Sequence, residues 1–222
     1  MQSHAQNTNE GGVEQTYFAM FSLPSKLTID TVALERDFYS LSRRLHPDLY
    51  ARKSAEEQAW SLRQSSLLND AYRTLKDPVA RTAYLLKLEG LRVEDENSET
   101  RDPAAKQNRV PADLLEEVFE LNMQLEEMRA NLKMGEDDSA LRGDLERAQM
   151  QFKDMLAAVD EDLRRAWAAW DAALDASDAA VKDKQKNAMV ALLDRRSYLR
   201  NLLREVDNVL SPQMAGVAKA NI

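Results

Sequence analysis

Few residue types in this sequence could carry catalysis or bind a metal. There is no cysteine, and the histidines are two, His4 and His46. The first fact excludes disulfides, thiolate nucleophiles and cysteine-ligated metals; the second leaves little from which to build a zinc or haem site. His46 stands in the tripeptide His46-Pro47-Asp48, just after Arg43 and Arg44. As a general base it would need a second histidine or a thiol to complete a site, and the folded part offers neither. The tripeptide therefore reads in one of two ways. It is an ordinary helix end, with Pro47 as breaker and Asp48 as turn residue, or a short stiff loop that presents His46 and Asp48 in a geometry fixed by Pro47.

The elements around the tripeptide are helical. Six glycines and six prolines in 222 residues are few breakers and point to long helices. Tyr17 to Pro24 is a short apolar cluster of one or two helical turns. From an N-cap at Asp30 or Thr31, the apolar residues Leu34, Phe38, Leu41 and Leu45 recur at spacings of 4, 3 and 4, one buried stripe that turns Arg36, Ser40, Arg43 and Arg44 elsewhere. Pro47 forces His46 out of the helical region and ends this helix. A second helix spans about Ala55 to Lys76, with Leu62, Ser65, Leu68, Tyr72 and Leu75 as its inner stripe, and stops at Asp77-Pro78. The intervening loop of about ten residues predicts antiparallel packing. A third run, Val79 to Glu89, ends at Gly90, a natural residue for the position after a helix.

Helix, His46-Pro47-Asp48, then a helix reading Leu68-Asn69-Asp70-Ala71-Tyr72-Arg73-Thr74-Leu75-Lys76-Asp77-Pro78 with Arg81 and Tyr84 beyond, resembles a J-domain, the module that stimulates DnaK-type chaperone ATPases. The opening Tyr17-Phe18-Ala19-Met20-Phe21-Ser22-Leu23-Pro24 and the closing Arg81-Thr82-Ala83-Tyr84-Leu85-Leu86-Lys87-Leu88-Glu89-Gly90 resemble one branch, the iron-sulfur cluster co-chaperones of the HscB type. A general DnaJ-type protein would continue into a Gly/Phe-rich stretch and often into cysteine-rich zinc repeats. This chain continues instead into an acidic connector and further helices. The resemblance implies that His46, Pro47 and Asp48, with Arg43 and Arg44, meet the ATPase of an HscA/DnaK-type chaperone, the arginines docking electrostatically on an acidic groove. The family often has lysine after the tripeptide where this chain has Leu49, and Glu35 and Asp37 dilute the basic face; Arg52 and Lys53 lie close enough in sequence to compensate.

Residues 91–110 have no apolar period and read as an acidic linker. Beyond Pro111, Leu114, Leu115, Val118, Phe119, Leu121, Leu125 and Met128 describe a helix that is apolar on more than one side, interrupted at Gly135. A long helix follows, striped by Leu141, Leu145, Ala148, Phe152, Met155, Val159, Leu163, Ala166, Trp170 and Leu174. After a polar turn near Ala176 to Lys184, the last stripe is Met189, Leu192, Leu199, Leu203, Val206 and Leu210. Short connections predict an antiparallel three-helix bundle. The resemblance implies that an iron-sulfur scaffold protein of the IscU type is bound through Leu115, Phe119, Glu120 and Glu127 on the first bundle helix and Tyr198 on the last. Leu115 and Phe119 equally suit the bundle core by their spacing. Two positions depart from the family pattern: Glu116 is usually apolar and Met123 usually acidic.

Charge divides along the chain. Residues 1–90 carry 11 basic and 11 acidic side chains, so the remainder holds the whole formal charge of −8. Such a chain has no dense basic face for nucleic acid. No apolar run reaches the length of a membrane span, and the first residues lack a signal-peptide pattern, so a cytoplasmic protein is expected. The expected architecture is all-α: a tail over 1–13, a J-domain over 14–90, the linker, a bundle over 111–212 and a tail over 213–222. The expected protein is a monomeric co-chaperone, not an enzyme, without cofactor or metal. Rival readings are a J-domain protein serving another client and a helical adaptor whose J-like domain is inactive.

Overall fold

The chain divides into two units, Met1–Leu85 and Leu86–Ile222, and the computed structural model describes residues 16–91, 110–136 and 138–211. All the elements among these residues are helices, in keeping with the expected class. The expected tails over 1–13 and 213–222, and residues 92–109 of the expected linker, lie outside the described residues.

Among the described residues up to 91 there are four α-helices: α1 (Tyr17–Met20), α2 (Thr31–Leu45), α3 (Ala55–Lys76) and α4 (Pro78–Leu88). The division between the units falls inside α4. Each helix starts on a polar cap. Thr16 caps α1, and the Asp30 carboxylate accepts from the amides of Val32 and Ala33 at the start of α2. Ser54 and Glu57 form a reciprocal capping box at the start of α3. At the end of α4, Gly90 takes φ 80°, which lets its own amide and that of Leu91 return to the carbonyls of Lys87 and Leu86.

α2 and α3 form an antiparallel hairpin joined at both ends. Near the loop, Ser61 and Ser65 reach Leu45; far from it, the Tyr72 hydroxyl donates to Glu35 at 3.2 Å, the Phe38 and Tyr72 rings stack at 4.2 Å, and Lys76 donates to the Tyr72 hydroxyl. That last bond, with Glu35 beside it, holds the Lys76 ammonium above the usual lysine range. Leu34, Leu68, Ala71 and Leu75 are buried with Phe18, Phe21 and Leu27. The expected inner stripe of α3 needs one correction, because Leu62 is 59% exposed and Ser61 is fully buried in its stead. Counting back from Leu75, Tyr72, Leu68 and Ser65 by threes and fours lands on position 61, where a serine disguises an inward site. Arg81, also buried, donates to Leu27 O at 2.9 Å and to Leu75 O, while Tyr17 and Tyr84 stack at 4.3 Å. Arg81 and Tyr84 thus serve as packing residues.

Among its described residues beyond 110, the second unit contains three long helices, α5 (Leu115–Met134), α6 (Ser139–Asp175) and α7 (Ala179–Leu210), with a 3₁₀ turn at Ala112–Leu114 before α5. Leu114, Val118, Leu121, Leu125 and Met128 are buried at alternating spacings of four and three. They face Leu145, Phe152, Val159, Leu163 and Trp170 of α6 and Met189, Leu193, Leu199, Leu202 and Val206 of α7 in one apolar interior. Gly135 closes α5 at φ 77°. The turn before α7 is shorter than expected, Ala176 to Asp178 only. Ser177 adopts a left-handed φ of 56°, and the Asp178 carboxylate accepts from Val181 N, so α7 starts at Ala179 instead of near Lys184. Arg196 pairs with Asp160 at 2.7 Å, and Arg142 donates to Leu210 O at 3.1 Å, tying α6 to α7 along their length.

Candidate functional site

The tripeptide loop follows from what proline permits. His46 sits at φ −58°, ψ 130°, the extended conformation preferred before proline, and Pro47 opens a 3₁₀ turn over Pro47–Tyr50. The turn closes with Leu49 N donating to His46 O at 3.0 Å. His46 caps it from its side chain: Nδ1 accepts from Asp48 N at 3.3 Å, an arrangement that puts the imidazole proton on Nε2. Nδ1 also lies 3.5 Å from Asp48 Oδ2, which becomes an ion pair only when the ring is protonated at both nitrogens. The side chains of His46 and Asp48 are 55% and 89% exposed, so the turn spends its backbone bonds internally and leaves both polar groups turned outward.

Arg43 and Arg44, in the last turn of α2, are exposed. Arg43 Nε donates to Tyr39 O at 3.3 Å. Among the described residues neither arginine forms an ion pair with a carboxylate, whereas Arg36 and Arg73 each have one. Placing unpaired cations at a helix C-terminus suits the helix dipole and leaves their charge available to a partner. Past the turn, Gln58 Nε2 donates to Lys53 O at 2.9 Å, the Tyr50 ring leans on Trp60 at 5.8 Å, and Leu49 stays exposed. Hydrogen bonds from Ser54, with Lys53 adding charge, hold the Glu57 carboxyl below the usual range. That capping box was missed in the sequence, although Ser54-Ala55-Glu56-Glu57 carries its signature in plain view.

On α5 the structure separates residues that spacing left together. Leu115 and Phe119 are 55% and 69% exposed, and Met123, one turn on, is 60% exposed. They run along the outside of α5 while Leu114, Val118 and Leu121 point inward. At roughly 100° per residue, Glu116, Glu120 and Glu127 follow the apolar stripe along one edge, and all three are exposed. The stripe is therefore apolar with an acidic margin. Tyr198 is half-buried on α7, and burial, then the charge of Glu205, raises its hydroxyl above the usual tyrosine value. Its turn of α7 is fastened to the start of α5 by Arg195, which donates to both carboxylate oxygens of Asp113 at 2.8 and 3.0 Å. The same guanidinium keeps the Asp113 carboxyl below its ordinary range. Neither Asp113 nor Arg195 was singled out by sequence, since nothing in their local patterns marks two charges 82 positions apart as partners.

Among the described residues no cluster of three or more His, Asp or Glu is placed to hold a metal ion. No helix among them is long and apolar enough to cross a membrane. No protein-family model matches the chain. Solved structures do, two of them as follows. The chaperone HscB from Vibrio cholerae is 27% identical, with 87% of this chain and 97% of that one covered and a TM-score of 0.53. The human co-chaperone protein HscB, 23% identical with a TM-score of 0.57, has the same fold over 89% of this chain and 83% of its own.

Proposed function

From the premise that this chain is an HscB-type co-chaperone, helical throughout its described residues, we propose that it binds an iron-sulfur scaffold protein of the IscU type and stimulates an HscA/DnaK-type chaperone to hydrolyse ATP. The chain would act by holding and presenting, in the cytoplasm, and would not be an enzyme. The observation that carries this reading is the pairing, in one chain, of an outward polar loop beside unpaired arginines with an outward apolar stripe on a separate unit.

The two surfaces suit different tasks. Arg43 and Arg44 steer an acidic ATPase surface into encounter, which raises the association rate and orients it. His46 and Asp48 then offer a charge and a ring nitrogen at fixed separation on a turn that Pro47 stiffens. On α5, Leu115 and Phe119 give an apolar contact whose energy is released when the scaffold covers them, while Glu120 and Glu127 favour a partner with basic residues beside its apolar patch. Tyr198 adds an amphipathic ring from α7. Tethering both partners to one chain raises their effective concentration for each other. The cluster is cargo here, and its thiolate ligands must come from the partners, because this chain has no cysteine.

Single-turnover ATP hydrolysis by the chaperone tests the first half. Asp48→Asn is expected to lower stimulation by about tenfold or more, since a charged hydrogen-bond partner is lost. Equal stimulation by this variant would remove the loop from the mechanism. Calorimetric titration with the scaffold tests the second half: Phe119→Ala with Tyr198→Ala should weaken binding, and undiminished affinity would move the site off this face.

A further inference from the structure

α2 ends on a carbonyl that its own backbone leaves without a donor. In an uninterrupted helix Leu45 O would accept from the amide of Leu49. The turn at Pro47 instead sends that amide to His46 O. A shielded carbonyl with no donor is costly, and α3 supplies two. Ser61 Oγ donates to Leu45 O at 2.7 Å and Ser65 Oγ at 2.9 Å. The serines are four residues apart, so they sit one above the other on the inner face of α3, and together they fill both lone pairs of a single oxygen. Serine within a helix ordinarily bonds back to a carbonyl of its own helix. Both of these reach across to α2.

The chemistry of this contact differs from that of its surroundings. Apolar packing between α2 and α3 resists separation but has no preferred direction, so by itself it permits the end of α2 to slide or rotate. Two hydroxyl bonds converging on one carbonyl fix position and direction together. That carbonyl belongs to the residue preceding His46, where the chain leaves the helix for the tripeptide. The other ties of the loop, Gln58 to Lys53 O and Tyr50 against Trp60, hold it beyond Asp48.

We infer that Ser61 and Ser65 are positioning residues for ATPase stimulation: their clamp on Leu45 O sets the direction in which His46 and Asp48 are presented. This rests on the loop reading given under Proposed function. Encounter with the chaperone depends on Arg43 and Arg44, which lie on the exposed side of α2 and do not touch the clamp. Loss of the clamp therefore lowers the maximal stimulation and leaves the concentration for half-saturation nearly unchanged.

The test uses the full chain in single-turnover ATP hydrolysis by a DnaK-type chaperone. Ser61→Ala combined with Ser65→Thr retains one hydroxyl, and Ser61→Ala combined with Ser65→Val has the same shape with none. The valine chain should reach a maximal stimulation roughly tenfold below the threonine chain, the loss expected when a shielded acceptor is orphaned. Half-saturating concentrations should agree within about threefold, because docking charge is unchanged. Equal maxima would overturn the proposal, as would a loss confined to half-saturation. Circular dichroism melts check folding; should the double valine chain unfold, Ser65→Val is compared with Ser65→Thr with Ser61 intact, where Leu45 O keeps one donor, so a smaller loss of maximal stimulation is expected and equal maxima overturn the proposal. Asp48→Asn in the same assay separates the levels. Full stimulation by that variant sinks the loop reading and the clamp with it, whereas its failure alongside equal threonine and valine maxima sinks the clamp alone.

Discussion

The tripeptide loop and the α5 stripe, the two surfaces proposed to meet partners, are exposed in opposite ways. The loop presents polar groups, and it is fastened from several sides: by Pro47, by the His46 ring over the turn, and by two serine hydroxyls on Leu45 O. The stripe presents apolar groups on a regular helix, held by the packing of Val118, Leu121 and Leu125 on its other side and by the Asp113–Arg195 pair at its start. Hydrogen bonds and charges act along directions, so a polar site must be oriented before it is useful. Apolar contact is non-directional and needs only to be kept in water until a partner arrives. Precision is accordingly concentrated in one region and simple exposure in the other.

That contrast breaks most visibly on α5 itself. Leu121→Ala should cost about 2–5 kcal/mol of stability, as a buried leucine does, while Phe119→Ala, two residues earlier and on the water side, should stay within about 0.5 kcal/mol. Chemical denaturation of the two variants measures both. A large loss from Phe119→Ala would mean that the stripe is part of the core and not a surface held for a partner.

At the loop, Ser54→Ala removes the side-chain half of the capping box and should cost about 1 kcal/mol, read in the same denaturation experiment. Because α3 starts immediately after the loop, this variant should also reduce ATPase stimulation more than it reduces scaffold binding. Equal effects on the two activities would blur the distinction drawn between them.

The smallest effect concerns the Asp113–Arg195 pair. Its carboxyl is depressed by Arg195, so the contribution of the pair is complete above the unfolded aspartate pKa and is lost as pH falls through the lower folded value. Melting temperatures of the parent and Arg195→Gln should therefore differ slightly near neutral pH and converge from about pH 4 downward. A gap that persists at low pH would assign Arg195 a packing role instead.

Much of the fold could be read without coordinates because its signals are local. Asp30 capping α2, Pro47 ending it and Gly90 closing α4 each act through neighbours a few positions away. The two misreadings on α3 and α7 each turn on a serine in an unusual setting. Ser61 is buried because Leu45 O waits for it on another helix, and the turn before α7 shortens because Ser177 accepts a left-handed backbone usually left to glycine. The proposed site residues divide in the same manner. His46, Pro47 and Asp48 were legible as a stiff loop, but the clamp behind them required two helices to be brought together.

From its sequence alone this protein is helical and free of cysteine chemistry, since capping, proline geometry and residue type are properties of short stretches of chain, and its motifs resemble those of HscB-type co-chaperones. Whether Leu115 and Phe119 face the bundle or the solvent was decided only in three dimensions. On an isolated α5, several apolar residues compete for the inward face, and packing against α6 and α7 leaves room for one line of them. Val118, Leu121, Leu125 and Met128 fill that line, and the residues left outside became the surface available to a partner.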